Sequence, residues 1–229
     1  MIKKYKVLLS LSVIVLGGLV FFFYRMYQHD IKLLVQFSAS YKRSEKSISS
    51  FSILLFATNL NDTSGLNQTN IIYSIITNSM KDTPSDKSRS TMVKEVKYRS
   101  THLLNELNNT DDLESKASFA IMELNSNVAA LSGVSSLIRN DTELWKAAIE
   151  MADLSIKELD NLKAYKKEIR DKIDEVTKLL ENPAKYSQKS SGYNNPLNQQ
   201  LKIERLSDGF VDIHKNKEKV YVRFEKLAG

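Results

Sequence analysis

Along this chain, apolar residues follow two patterns: one stretch where they fill nearly every position, and several where they recur in steps of three and four. The first is Val7–Tyr24, VLLSLSVIVLGGLVFFFY, eighteen residues without a charge. As a helix it rises about 27 Å at ~1.5 Å per residue, close to the ~30 Å of bilayer hydrocarbon. The pattern predicts a single transmembrane helix over residues 7–25, with a short tail over 1–6 ahead of it. Tyr5, Tyr24 and Tyr27 flank the run, where amphipathic rings settle at the headgroup level. A cleaved signal peptide fits less well. Its apolar core is shorter and ends at small residues, whereas this run ends in Phe21-Phe22-Phe23-Tyr24-Arg25-Met26. Lys3, Lys4 and Lys6 against Arg25 on the far flank favour a cytoplasmic N-terminus and an extracytoplasmic bulk.

Beyond the run the second pattern takes over, and the fold class it predicts is mainly α, with an antiparallel bundle over residues 30–182. Leu34, Phe37, Tyr41, Ile48, Phe51 and Leu55, with Ser44 in the gap, form one helix face that can continue straight from the anchor. Ile53-Leu54-Leu55-Phe56 is a denser apolar patch expected to be buried. Asn59–Asn70 is a turn-rich break, and Ile71–Met80 reads as a short helix. Thr83-Pro84-Ser85-Asp86 has helix-start chemistry, ahead of Val93, Val96, Leu103, Leu104 and Leu107. Thr110 or Asp111 caps the next helix, which carries Leu113, Ala117, Ile121, Leu124, Val128, Leu131, Ser135 and Ile138. The short connectors Asn108–Asp111 and Arg139–Asp141 imply antiparallel neighbours.

The longest element is expected over Asp141–Glu181, with Trp145, Ile149, Ala152, Ile156, Leu159, Leu162, Tyr165, Ile169, Ile173, Val176 and Leu180 on one face. Its spacing is heptad-like. From Leu162 onward charges crowd both sides, and the seam Leu162, Tyr165, Ile169, Ile173, Val176, Leu180 is narrow enough to suit contact with another chain or with the C-terminal tail folded back. Residues 183–200 read as a polar linker. In the tail, residues 201–229, Phe210–His214 and Lys219–Leu227 alternate apolar and polar around Lys215-Asn216-Lys217-Glu218, which predicts a small β-hairpin.

Composition narrows the chemistry. Gly and Pro number only 7 and 3, which suits long helices rather than a loop-rich sheet protein. The formal charge is +6, but Lys3, Lys4 and Lys6 supply half of it. The remaining balance is a mixed solvated surface, so no nucleic-acid partner is expected. Cysteine is absent, which removes disulfides, thiolate nucleophiles and thiolate metal ligands. His29, His102 and His214 are the only histidines, and none has a second histidine at metal-ligand spacing. Phosphate-cradling glycine loops and the G-x-S-x-G elbow are missing. Carboxylate pairs such as Asp111-Asp112 and Asp174-Glu175 fall at a helix start or on a charged face, where capping and solvation account for them. Trp145, the sole tryptophan, reads as a core anchor.

These readings assign no catalytic, cofactor or metal residue and imply a non-enzyme. The function expected is that of a single-pass membrane-anchored helical protein of the cell envelope, acting through protein–protein interaction as an adaptor or assembly component. Its partners would be the bilayer, through the N-terminal helix, and a protein or a second copy of itself. The alternative is a helical ectodomain that senses a ligand and signals to a membrane partner; the lack of a second span or an output domain argues against it.

Overall fold

The computed structural model describes residues 2–60, 86–132, 142–181 and 196–228; within them the side chains at 2–13, 57–60, 86–89, 92, 132, 142, 176, 179–181 and 196–201 are not described. Five helices account for all of it but Thr110: α1 (Ile2–Leu60), α2 (Asp86–Asn109), α3 (Asp111–Ser132), α4 (Thr142–Glu181) and α5 (Pro196–Ala228). No strand occurs among the described residues. The segment Ile71–Met80 and the cap at Thr83 lie outside them.

Pairs across the interfaces set the directions. Glu150–Arg223, Glu158–Lys217 and Glu168–Lys202 run in opposite senses along α4 and α5, which are therefore antiparallel. Phe37–Phe224, Tyr41–Tyr221 and Phe56–Phe210 do the same for α1 and α5. Arg43 pairs with Glu123, while Lys166 lies over the Phe51 ring and holds Asp111 and Glu114, so α3 is antiparallel to α1. The result is an up-down-up-down bundle of α1, α3, α4 and α5, the arrangement that short-range amphipathic faces favour.

Sequence explains the buried face of α1 closely. Phe37, Tyr41, Ser44, Ile48, Phe51 and Leu55 are all buried, at the spacing the pattern predicts. Ser40, Ser44 and Ser52 lie on or beside this face and donate their hydroxyls to the carbonyls of Phe37, Tyr41 and Ser49, at 2.8, 2.8 and 2.9 Å. Small, self-satisfied side chains let α3 approach with its own Ala117 and Ala120. Ile53, by contrast, is 66% exposed, so the dense patch around it is only partly interior: consecutive helix positions turn ~100° apart and cannot share one face.

At Thr110 the chain bends instead of reversing. The Thr110 amide and hydroxyl both donate to the Leu107 carbonyl, at 3.1 and 2.6 Å, and the Thr110 carbonyl accepts the Glu114 amide at 3.0 Å. A one-residue break is too short to turn two helices side by side, so α2 and α3 meet chiefly at the bend rather than packing as antiparallel neighbours. α2 instead lies against α4, with Arg170 donating to Asn108 at 2.8 Å and Leu103 and Leu107 in the shared core.

The C-terminal β-hairpin expected over 201–229 is not formed; those residues belong to α5 up to Ala228, and so do 196–200 of the expected linker. The alternation in Lys219–Leu227 spans too few residues to outweigh a longer helical period. Ile203, Leu206, Phe210, Lys217, Val220, Phe224 and Leu227 face the core in steps of three, four and seven. The tetrad Lys215–Glu218 holds three good helix formers and no glycine for a tight turn. The tail is thus the fourth helix of the bundle. Gly209 lies where α5 comes close to α4: a Cβ there would meet Asn161 Nδ2 at 3.3 Å.

Among the described residues no helix is long and apolar enough to cross a membrane. The run Val7–Tyr24 belongs to α1, which continues without a break into the bundle; its side chains are described from residue 14 onward.

Candidate functional site

Two features stand apart from ordinary bundle packing. The first is the N-terminal part of α1. Ile14, Val15, Leu16, Leu19, Val20, Phe21, Phe22, Phe23 and Tyr24 are between 47% and 72% exposed. They occupy every side of the helix, so no single neighbour covers them. Cβ atoms built at Gly17 and Gly18 meet nothing within 4 Å. Bundle contacts begin at Asp30, which is buried, and become continuous from Phe37. Arg25 ends the apolar run with its guanidinium 5.6 Å from the Phe21 ring centroid.

The second is a layer of buried charge between α1, α4 and α5. Glu158 and Lys217 side chains are each 1% exposed and paired with one another. Lys217 also meets Glu45 of α1, and His214 Nδ1 lies 2.8 Å from the other Glu158 oxygen. The second His214 nitrogen is 3.5 Å from Glu218. Aromatic rings close the layer on both sides. Tyr41 stacks on Tyr221 at 5.2 Å and 15°, and Phe56 sits against Tyr165 and Phe210 at 5.1 and 5.2 Å. Loss of hydration pushes the Lys217 ammonium below its usual range, opposed by the attraction of Glu45. Burial raises the Tyr41 hydroxyl strongly, with the Glu45 carboxylate adding to it, and pushes Tyr165 up to about 12. Tyr221 rises to about 12 chiefly because it donates to Glu225.

A smaller cluster fastens the bend to α4. Lys166, 5% exposed, is held by Asp111 and by Glu114 at 2.7 Å. Farther along, Lys172 is buried and its ammonium is pushed down by loss of hydration, opposed by Glu175 and Glu204.

Chemically, the charge layer binds helices to each other. Its carboxylates and the Lys217 ammonium face one another between α1, α4 and α5, so one buried cation ties three helices together. No group of three or more metal-ligating residues at metal-holding distance occurs among the described residues. His29 and His102 lie outside the layer, His102 being 3.3 Å from Glu106 on its own helix.

The seam expected on the outer half of α4 is interior over its first four positions. Leu162, Tyr165, Ile169 and Ile173 are buried within this chain, against α1, α5 and the α2–α3 bend; the Val176 and Leu180 side chains are not described. The charges flanking the seam include Lys166 and Lys172, which are themselves buried, so the face is wider than its apolar residues suggest. In the first half of α4, Ala152 and Leu159 of the expected face are buried, but the face turns toward Leu144, Ala147, Ala148, Met151 and Ser155, and Trp145, Ile149 and Ile156 are only partly buried.

Sequence reasoning missed Glu158, Lys166 and Lys217 as interior groups. Their signal was phase: each falls on the apolar stripe of its helix where a leucine would otherwise sit.

No protein-family model, curated protein or solved structure matches this chain.

Proposed function

We propose that this is a single-pass membrane-anchored helical protein whose bundle works by protein–protein interaction, as an adaptor or assembly component of an envelope complex. The observation that carries the reading is the contrast along α1. Its bundle half hides a regular apolar face, while residues 14–24 present large apolar side chains on every side. Water disfavours such a surface by roughly 25 cal/mol per Å² of apolar area, and hydrocarbon removes that cost. Soluble monomers rarely keep a contiguous apolar patch larger than a few hundred Å². The lysines at positions 3, 4 and 6 support an N-terminus in the cytoplasm with the bundle outside.

The unbroken α1 supports the adaptor role. A helix running from the anchor into the core holds the bundle at a set height and azimuth above the bilayer. A charge layer that locks α1, α4 and α5 in register suits a rigid platform better than a pocket that must open.

The test is fractionation of cells expressing the full chain, followed by affinity purification in mild detergent. The protein should sediment with membranes, resist extraction by high-pH carbonate, and co-purify a partner in fixed stoichiometry. Recovery in the soluble fraction overturns the anchor. A membrane-bound protein that purifies without any partner or second copy overturns the adaptor role.

A further inference from the structure

Between its apolar run and the first continuous turn of the bundle, α1 carries a short basic face. Arg25, His29 and Lys32 are all exposed and fall within a ~60° arc at ~100° per residue. The only carboxylate in the chain before Glu45 is Asp30, and it is buried, so no acid shares this face. Among the described residues none of the three basic side chains has an ion-pair partner. Exposed Arg43, Lys116 and Lys146, by contrast, each hold a carboxylate. The Arg25 guanidinium instead reaches back one turn, to 5.6 Å from the Phe21 ring centroid. A helix imposes that direction, because its side chains lean toward its N-terminus. On α1 the N-terminus is the end that carries the apolar run.

We propose that Arg25 and Lys32, with His29 between them, form a binding face for the headgroups of anionic phospholipids in the leaflet on which the bundle stands. The inference rests on the anchor reading above. Because α1 runs unbroken from the apolar run into the bundle, an anchor there fixes the height of each residue. On an upright helix Arg25, His29 and Lys32 rise about 1.5, 7.5 and 12 Å beyond Tyr24. The lean toward the N-terminus brings each side chain down by about one turn, ~5 Å. All three polar groups then lie within the ~5–8 Å headgroup layer, where lipid phosphates are the anions at hand. The bundle supplies no counter-charge of its own, since Asp30 is buried. Arg25 offers a planar fork that fits phosphate oxygens, Lys32 a compact charge, and His29 a ring N–H. A headgroup with net negative charge adds attraction, and a basic side chain close to an anionic surface favours it roughly five-fold. The face works on either side of the membrane, because it follows the leaflet and not the compartment.

The probes are spin-labelled phosphatidylglycerol and spin-labelled phosphatidylcholine, each in vesicles of unlabelled phosphatidylcholine that hold the full chain. Lipid lying against a membrane helix gives a motionally restricted spectrum, and the restricted fraction reports the affinity of each headgroup. Phosphatidylglycerol should be favoured several-fold, and Arg25→Gln/Lys32→Gln should lower that preference about two-fold or more. The conservative pair Arg25→Lys/Lys32→Arg should keep it. Lys42→Gln/Lys46→Gln removes the same charge from exposed positions farther along α1 and should leave the preference unchanged. Lys3, Lys4 and Lys6 stay in every variant, so their share cancels. Equal loss from the two glutamine pairs makes the effect one of net charge and overturns the proposal. So does a preference that survives Arg25→Gln/Lys32→Gln, one that the conservative pair also loses, or no preference at all. The same spectra separate this failure from that of the anchor. Restricted lipid without headgroup preference loses the face and keeps the anchor, whereas no restricted lipid of either kind loses both.

Discussion

Removing Lys217 should be among the most damaging single changes in this protein. Lys217→Met keeps the length of the side chain but deletes the charge between Glu158 and Glu45. Glu158 then stays 1% exposed, with only His214 to compensate it. Two unit charges in contact attract by about 4 kcal/mol at an effective dielectric of 20, and Lys217 makes two such contacts. Against this stands the desolvation that Lys217 no longer undergoes, visible in its depressed proton affinity. The net cost of deleting one partner of a buried pair is about 3–5 kcal/mol, a fifth or more of a typical domain's ~5–15 kcal/mol stability. Urea unfolding of the full chain in a mild detergent, followed by circular dichroism, should show the midpoint falling with the slope unchanged. The triple change Lys217→Met, Glu158→Leu, Glu45→Leu should recover most of the loss, because an apolar layer needs no compensation. A Lys217→Met variant within ~0.5 kcal/mol of the parent would refute the reasoning and place Lys217 in water.

Burial of Tyr165 raises its hydroxyl from 10 to about 12, so between these values the unfolded chain gives up a proton that the folded chain keeps. Stability should therefore fall as pH climbs through that window, by about 2–3 kcal/mol for this residue, and Tyr165→Phe should flatten the decline. Ile169 and Ile173, 0% and 1% exposed, should unfold the isolated monomer when both become Asp, read as loss of the helical signal; an intact fold would return them to the surface. Trp145→Ala should cost about 1–2 kcal/mol in the same melts rather than the 3–5 of a fully enclosed ring, since Trp145 is only partly buried.

How far the sequence led depends on what set each element. The buried face of α1 could be read residue by residue, because a long helix packed on one side leaves a clean three–four pattern. The tail misled for the opposite reason. Val220, Val222 and Phe224 imitate a strand over a few residues, and the deciding signal, from Ile203 to Leu227, is diluted by Lys217 on the buried face. In α4 the stripe is right from Leu159 onward but shifted at its start, where bulky Trp145 and Ile149 lie at the edge and the small Ala147, Ala148 and Ser155 that make the contact look neutral by hydropathy. Burial of Glu158 and Lys166 left no sign in the sequence for a similar reason: pairing across helices is invisible along one chain. Residues 14–24 are exposed on all sides because a run apolar at nearly every position cannot gather its side chains onto one helix face.

The proposed function depends first on the proposed anchor, and accessibility of single cysteines in sealed vesicles tests that anchor most directly. With the cysteine-free chain as background, Ile14→Cys, Leu16→Cys, Val20→Cys and Phe22→Cys should resist a membrane-impermeant maleimide. Lys42→Cys and Lys146→Cys, both exposed on the bundle, should react at once. Labelling of Leu16→Cys and Val20→Cys in intact vesicles as fast as of Lys42→Cys would contradict the anchor.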